Sequence, residues 1–376
     1  MEIIIFLLFI FMLIYIGYIA ILIYGFTKVH QTEGKYEIPQ IKFSIIVPFR
    51  EEQENLPRLL ESIRLLNYPI EMFEIVLIND FSADNSVNVI NKWRMQNGLF
   101  QTTIIENLLL SGSPKKDAIS RALPVVANEW ILTTDADCIL PPDLLQSLNS
   151  FIQKNKVEMV VGAIRYDGNS SFLNHFQRMD IMSLQGATIG SFGIGKPFMC
   201  NGANFAYSKR FFGELNGFEG NSNVASGDDV FLLQKAVLKS PEKIGFNKSR
   251  DAIVITKPVD MWNKLINQRI RWASKTNSYQ SVFGEDLAFA VFLGNLVIVI
   301  SAILVSFQLM IWQYLAILFL IKFIPDFILL LQSNSFLNRR GFFPLFAAIF
   351  YPFFTVAIAL MTISGNYKWK GRHFKM

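Results

Sequence analysis

The sequence predicts an α/β domain on a parallel, covered sheet, bracketed by membrane-spanning helices at both ends. Three observations carry this reading. Short β-branched runs alternate with helically spaced segments between residues 42 and 280. Apolar runs long enough to cross a bilayer occupy residues 3–25 and recur after residue 286. The acidic and basic residues of the middle stretch gather where the strands end.

The bulk properties agree. The 376 residues leave room for one large domain plus membrane segments, or for two domains. The chain is 52% hydrophobic, and its mean hydropathy of +0.33 is high for a soluble protein. The excess lies at the two ends. A net charge of +5 is modest, and no basic-aromatic module is visible, so nucleic acid is excluded as a partner. The basic surplus suits anionic lipid headgroups or a substrate diphosphate. Cys138 and Cys200 form neither a disulfide framework nor a zinc spacing, and Cys138 beside an acidic pair fits a reduced, cytosolic setting. His30, His175 and His373 are too scattered in sequence to support a histidine triad or metal cluster.

The first apolar run reads as a helix rather than a cleaved signal peptide. It is long, starts with Glu2 in place of positive charge, and is followed by no small-residue cleavage site. Lys28 and Lys35 follow it, which puts the amino terminus outside and the next domain in the cytoplasm. Later spans are expected at 287–307, 311–331 and 342–364. Lys322 and Asp326 sit four apart in the second of these. They read either as a pair facing the protein interior or as a simple intrahelical pair near the membrane edge. The link Asn338-Arg339-Arg340 is expected to be cytoplasmic. Three crossings would then put the basic tail around Lys368–Arg372 outside, against its charge. One late segment is therefore expected to be re-entrant, broken at Pro325, Pro344 or Pro352. The resulting division is an anchor at 1–27, a cytoplasmic domain at 40–280, about three spans within 285–366 and a basic tail at 367–376.

In the middle stretch, Phe43-Ser44-Ile45-Ile46-Val47 reads as a buried strand stopped by Pro48. Glu51 to Leu66 has helical spacing at Leu56, Leu59, Leu60 and Ile63. Phe73 to Ile78 is a second strand, and a polar helix follows it, capped by Asp84. Thr102–Ile105 and Glu129–Thr133 add two strands, and the alternation implies parallel pairing. Residues 172–187 carry Phe172, Leu173, Phe176 and Met179 loosely on one face. They read as an interfacial helix on the bilayer or as a core helix.

Arg50, Glu51 and Glu52 follow the first strand, Asn79 and Asp80 end the second, and Asp135 and Asp137 end the fourth. All fall on the carboxyl edge of the sheet, where open α/β sheets bind ligands. Two hard carboxylate ligands two residues apart suit Mg²⁺ or Mn²⁺ carrying a diphosphate. No Gly-x-Gly-x-x-Gly follows the first strand and no Walker lysine loop is present, so a dinucleotide enzyme and a P-loop NTPase are disfavoured.

Together these residues resemble the membrane-bound family 2 glycosyltransferases with a GT-A (Rossmann-like) fold. That family includes cellulose, chitin and hyaluronan synthases and ceramide glucosyltransferase. The likeness spans about residues 42–276. Val47-Pro48-Phe49-Arg50-Glu51-Glu52 looks like the family's opening strand and nucleotide loop, with Glu51 where asparagine is usual. Asp80 matches the nucleoside-contacting aspartate, Lys115-Lys116-Asp117 the lysine segment, and Asp135-Ala136-Asp137 the metal-binding Asp-x-Asp. Ser226-Gly227-Asp228-Asp229 falls where Thr-Glu-Asp or Gly-Glu-Asp is usual, with Asp228 replacing the common Glu. Gln268-Arg269-Ile270-Arg271-Trp272 fits Gln-x-x-Arg-Trp in full.

The resemblance implies roles. Pro48, Arg50, Glu52, Asp80, Lys116, Asp135, Gln268, Arg271 and Trp272 would bind the nucleotide sugar. Asp135 and Asp137 would hold the metal, and Asp229 would be the catalytic base. Asn201, Gly202, Asp228 and Trp272 would lie on the acceptor side. The expected activity is inverting, metal-dependent sugar transfer, with a UDP-sugar expected over a GDP-sugar. The acceptor would be a lipid or lipid-linked glycan at the cytoplasmic face of the inner membrane. About four spans are few for a polymer pore in one chain, which favours the lipid acceptor over the alternative of a processive polysaccharide synthase. A non-catalytic nucleotide-sugar-binding protein is the alternative from another class, and the complete residue set argues against it.

Overall fold

The computed structural model describes every residue except 33, 35, 169, 222–226, 275–279, 338–343, 364–365, 370–371 and 376. Lys35, Ser226, the Asn338–Arg340 link and part of the basic tail lie outside the described residues. The strands are β1 Phe43–Phe49, β2 Phe73–Asn79, β3 Thr102–Glu106, β4 Trp130–Thr133, β5 Met159–Gly162, β6 Ile164–Tyr166, β7 Phe205–Ser208, β8 Ile244–Asn247, β9 Val254–Thr256, β10 Asn366–Trp369 and β11 Arg372–Lys375. The helices are α1 Glu2–Lys28, α2 Leu56–Arg64, α3 Ser86–Gln96, α4 Pro114–Ala122, α5 Leu144–Asn155, α6 Phe172–Gly193, α7 Lys209–Glu214, α8 Asp228–Lys239, α9 Trp262–Ala273, α10 Val282–Ser306, α11 Trp312–Leu337 and α12 Pro344–Ile363.

The chain forms two compact units. One comprises His30–Gly168 and Met199–Pro258; the other comprises Met1–Val29, Asn169–Phe198 and Val259–Met376. Residues 169–198 and 259–274, read from sequence within the 40–280 domain, thus fold with the apolar helices.

The first unit is an α/β sheet of order β3-β2-β1-β4-β7-β5-β8. Strands β1 to β4 are mutually parallel, and Ile45, Ile46, Val47, Ile75, Val76, Leu77, Ile78 and Leu132 are buried. Continuous apolar strands are what a sheet covered on both faces requires. The expectation of parallel pairing fails at β7, which runs antiparallel between β4 and β5. The chain re-enters the sheet at its carboxyl edge through the 3₁₀ turn Gly202–Asn204 and must run backwards from there. Strand β1 also continues past Pro48 to Phe49. The missing N–H of Pro48 faces the β4 side, where the ladder has already ended at Ile46 and Thr133.

The helix expected from Glu51 begins at Leu56. The N–H groups of Glu51, Glu52 and Gln53 donate instead to Ser82 Oγ, Ser86 Oγ and Asp84 Oδ2, all from the segment after β2. Those partners satisfy the backbone without a helical turn. The N-cap of α3 is Asn85 rather than the expected Asp84, which sits one residue earlier and accepts the N–H of Ser86 at 3.0 Å.

In the second unit, α1, α10, α11 and residues Leu345–Ile363 of α12 are long and apolar enough to cross a membrane, with mean hydropathies of 2.9, 2.7, 2.3 and 2.1. Helix α6 is a core helix of this unit. A Cβ on Gly190 would strike the Leu22 carbonyl, one on Gly193 the Gly25 carbonyl, and one on Gly186 Ser333 and Leu329 of α11. Small residues thus bring α1 and α6 into backbone contact, as in close-packed membrane helices. Gly190→Val is expected to force these helices apart and destabilise the protein by about 1–3 kcal/mol, the usual range for overpacking. A thermal melt in detergent checks this against Gly17→Val, since nothing lies within 4 Å of a Cβ at Gly17.

Of the two readings of Lys322 and Asp326, the structure has the interior one. Lys322 Nζ lies 2.6 Å from Asp326 Oδ2, Lys322 is buried, and the Tyr15 hydroxyl of α1 donates to Asp326. The expected re-entrant break is absent from the described residues. Helix α11 runs unbroken through Pro325 and α12 through Pro352, while Pro344 opens α12. A proline in the first turn loses no helical hydrogen bond. The tail strands β10 and β11 pair antiparallel.

Candidate active site

The carboxyl edge of the sheet gathers groups from four elements. Strand β4 ends at Thr133, and Asp135 and Asp137 lie in the turn beyond it. Lys115, in the first turn of α4, places Nζ 2.6 Å from Asp135 Oδ1 and 3.5 Å from Asp228 Oδ2. Helix α8 opens after Gly227, whose φ of 85° ends the preceding loop in a conformation natural to glycine. Its first two residues are Asp228 and Asp229, at the positive end of the helix dipole. Asp229 Oδ2 accepts the Gly202 N–H at 2.7 Å, and its Oδ1 accepts the Val230 N–H at 2.8 Å. A Cβ on Gly202 would sit 3.2 Å from Lys115 Nζ and 3.3 Å from Asp228 Oδ2, so the turn into β7 can lie against this cluster because position 202 has no side chain.

Lys115 stays charged. Burial alone would lower its pKa, but Asp135, Asp228 and Asp229 outweigh burial and raise it. Cys138 behaves in the opposite sense. Burial first, then the charges of Asp137 and Asp135, push its thiol well up, which keeps it neutral and unsuited to act as a thiolate.

The rest of the edge is built around Asp80. Its Oδ1 accepts a bond from Asn107 Nδ2 at 2.9 Å, and Asn107 also donates to the Pro114 carbonyl at 3.0 Å. Arg50 Nη1 donates to the Asp80 carbonyl at 2.6 Å and to the Phe81 carbonyl at 3.3 Å. Glu52 Oε2 accepts from Asn55 at 2.7 Å, and Pro48 sits within β1. Asn201 Oδ1 caps the turn into β7 by accepting the Ala203 N–H at 3.0 Å.

Two side chains with no individual role in the sequence reading belong here. Asn107 orients Asp80, and its signal was that it follows β3 as Asp80 follows β2. Lys115, rather than Lys116, reaches the carboxylates. Lys116 is buried on another side of α4, with Nζ 2.5 Å from the Asn221 carbonyl and 5.0 Å from the Phe231 ring centre. Consecutive residues on a helix point roughly 100° apart, so only one of two adjacent lysines can face the cluster.

Gln268, Arg271 and Trp272 lie on α9, in the helical unit. Arg269, from a variable position of that motif, contacts two of them, Gln268 and Trp272. Its Nε and Nη2 both lie 2.6 Å from Asp180 Oδ2 of α6, it donates to Gln268 Oε1, and its guanidinium stacks 4.1 Å over the Trp272 ring. Tyr351 of α12 donates to Asp180 Oδ1 at 3.2 Å.

Among the described residues no three His, Cys, Asp or Glu side chains converge as a ready metal cage. The donor set still fits a hard divalent cation. Asp135 and Asp137 offer only oxygen, and the Lys115 ammonium already holds a positive charge at 2.6 Å from Asp135.

Comparison with known proteins adds to this geometry. A region of an undecaprenyl-phosphate 4-deoxy-4-formamido-L-arabinose transferase from Yersinia enterocolitica is 33% identical over 157 residues, covering 40% of this chain and 46% of that protein. The poly(ribitol-phosphate) β-N-acetylglucosaminyltransferase TarS of Staphylococcus aureus is 26% identical over 121 residues, covering 32% of this chain and 20% of that protein. The chain thus spans less than half the length of these curated relatives. A mannosyltransferase from Pyrobaculum calidifontis, solved with GDP-Man and Mn²⁺, shares the fold at a TM-score of 0.59. It is 16% identical and the alignment covers 94% of this chain and 99% of that one. The family described as Glycosyl transferase family 2 matches residues 44–215. Glycosyl transferase family group 2 matches residues 130–362, well over half of the sequence, and the chain belongs to the family 2 glycosyltransferases with a GT-A catalytic fold.

Proposed function

We propose that the protein transfers a sugar, with inversion, from a nucleoside diphosphate sugar to a lipid-phosphate acceptor at the cytoplasmic face of a membrane. The observation that carries this is the single cluster of Asp135, Lys115, Asp228, Gly202 and Asp229, which sets a diphosphate-side charge arrangement against a carboxylate suited to act as base. The Asp229 carboxylate, held by the Gly202 and Val230 N–H groups at the first turn of α8, is the group we assign to receive the proton of an attacking hydroxyl. Inversion needs only that one base and no covalent intermediate, so an α-linked donor would give a β-linked product. Asp80, oriented by Asn107, meets the nucleoside, with Pro48, Arg50 and Glu52 in the adjoining loop. Asn201, Gly202 and Asp228 line the acceptor side. Gln268, Arg271 and Trp272 keep the diphosphate and acceptor roles that the family motif implies, with Arg271 suited to bidentate contact.

Asp135 and Asp137 would hold Mg²⁺ or Mn²⁺, which offsets negative charge growing on the leaving diphosphate. The acceptor class rests on the lipid-phosphate named in the Yersinia relative and on the four apolar helices. A UDP-sugar is the donor we expect.

The test is nucleoside diphosphate release by the detergent-purified protein. It would be offered UDP- and GDP-sugars, polyprenyl phosphate or total membrane lipids, and Mn²⁺ or Mg²⁺. Release from one donor, lost in Asp135→Asn and on chelation, is the expected result. Undiminished release by Asp135→Asn would sink the metal assignment. A labelled product carrying one added sugar supports the lipid enzyme, whereas a ladder of sizes would replace it with a polymer synthase.

A further inference from the structure

The loops after β1 and β2 each hold a residue other than glycine in the left-handed region, Glu51 at φ 53° and Phe81 at φ 57°. Side chains with a Cβ avoid this region, and a bulky ring there is a true outlier. Such strain persists where surrounding contacts over-determine it, and it concentrates at functional positions.

The two loops are laced together. Arg50 donates to the Asp80 and Phe81 carbonyls at 2.6 and 3.3 Å, and the Asp80 N–H reaches the Phe49 carbonyl at 2.9 Å. Asn79 Oδ1 accepts the Ser82 N–H at 2.9 Å. The conformation of Glu51 has a visible use, since its Oε1 accepts the Ala83 N–H at 2.8 Å. At Phe81 the backbone contacts are the Arg50 bond to its carbonyl and the Asn79–Ser82 bond across it, and neither involves the ring. The ring is 50% exposed and meets no other aromatic ring among the described residues. Burial of a hydrophobic side chain therefore does not explain why this backbone is held as it is.

What the strain does accomplish is presentation. A flat apolar face stands at the carboxyl edge of the sheet, directly after Asp80, on a backbone pinned at residues 79 to 82. A rigid ring beside a hydrogen-bonding carboxylate suits a flat heterocycle with a polar edge. We propose that Phe81 is a stacking platform for the nucleobase of the donor and contributes to nucleotide affinity through its ring. This rests on the donor-site reading above. Stacking is tolerant of base identity, because every base has a π-face.

The experiment measures binding of UDP, GDP and inorganic pyrophosphate to the full-length protein in detergent with Mn²⁺, by calorimetry. The variants are Phe81→Gly, Phe81→Ala and Phe81→Tyr, each with a thermal melt. Phe81→Gly is expected to weaken UDP and GDP roughly 5- to 100-fold, the span that loss of one base–aromatic stack produces. Pyrophosphate binding should be unchanged, and Phe81→Tyr should bind as wild type. The glycine variant should melt at the wild-type temperature or above, because it relieves the left-handed strain. A ring with a merely structural role would instead lower the melt on truncation. Wild-type UDP and GDP affinity in Phe81→Gly would overturn the proposal while leaving the donor site standing, as would equal losses of nucleotide and pyrophosphate. If the wild type binds pyrophosphate but neither nucleotide, the donor-site reading falls and this inference with it.

Discussion

Asp229→Asn is expected to abolish sugar transfer while leaving nucleotide binding intact. The amide keeps the shape of the carboxylate and one of its two acceptors, so the bond from either Gly202 or Val230 survives. What disappears is the capacity to take a proton from the acceptor hydroxyl. General-base catalysis is commonly worth roughly 100- to 10,000-fold, so turnover should fall by that order with little change in donor Kd. The paired measurement is product formation under saturating donor beside calorimetric nucleoside diphosphate binding. A variant that binds donor and turns over near the wild-type rate would remove Asp229 from its role and point to Asp228, its neighbour across Lys115. Loss of binding along with turnover would mean that the residue holds the turn at Gly202 rather than performing chemistry.

The second large effect is expected at Asp180. Its carboxylate and the Arg269 guanidinium are both nearly shut off from solvent, with side chains 6% and 7% exposed. Asp180→Ala would leave a buried guanidinium without its counter-charge, and removing one partner of a buried pair destabilises by about 3–5 kcal/mol. The same change would free the Gln268 and Trp272 side chains that Arg269 now holds. Replacing both partners, as Asp180→Leu with Arg269→Met, should recover much of the stability, since a well-packed apolar pair carries no desolvation penalty. It should not recover the pose of Trp272. The checks are thermal melts of the three proteins in detergent, with intrinsic tryptophan fluorescence as the local readout. An Asp180→Ala protein that melts with the wild type would show that the pair contributes nothing net.

The parts of this architecture legible in the sequence were those decided by short-range pattern. Strands β1, β2 and β4 announced themselves as apolar runs, and the polar residues after them fell at one sheet edge because parallel strands share a direction. What escaped was decided at long range. The start of α2 depends on Ser82, Asp84 and Ser86, some thirty positions away from the backbone they satisfy. The reversed direction of β7 follows from where the chain re-enters the sheet, which no local periodicity encodes. Choosing Lys115 over Lys116 needed the rotational setting of α4, and a nine-residue helix with mixed faces does not display it. Arg269 lay hidden at a position the motif leaves unspecified, with partners on α6 and α12. Helix α6 read ambiguously because its packing surface toward α1 is glycine, which leaves no apolar stripe to detect.

The helical unit is assembled from three separated stretches of chain, and this constrains the order in which a ribosome can complete it. Helix α1 emerges first, yet the glycines of α6 that meet Leu22 and Gly25 come more than a hundred residues later, and the Lys322–Asp326 pair that meets Tyr15 later still. During synthesis α1 must wait without α6 or α11 to pack against, its tyrosine and its glycine notch uncovered by those partners. Well over half of the sheet-bearing unit, His30–Gly168, is translated before α6 exists to meet that notch. Substitutions along the α1–α6 seam should therefore reduce the yield of assembled protein in cells more steeply than they reduce the melting temperature of the molecules that do assemble.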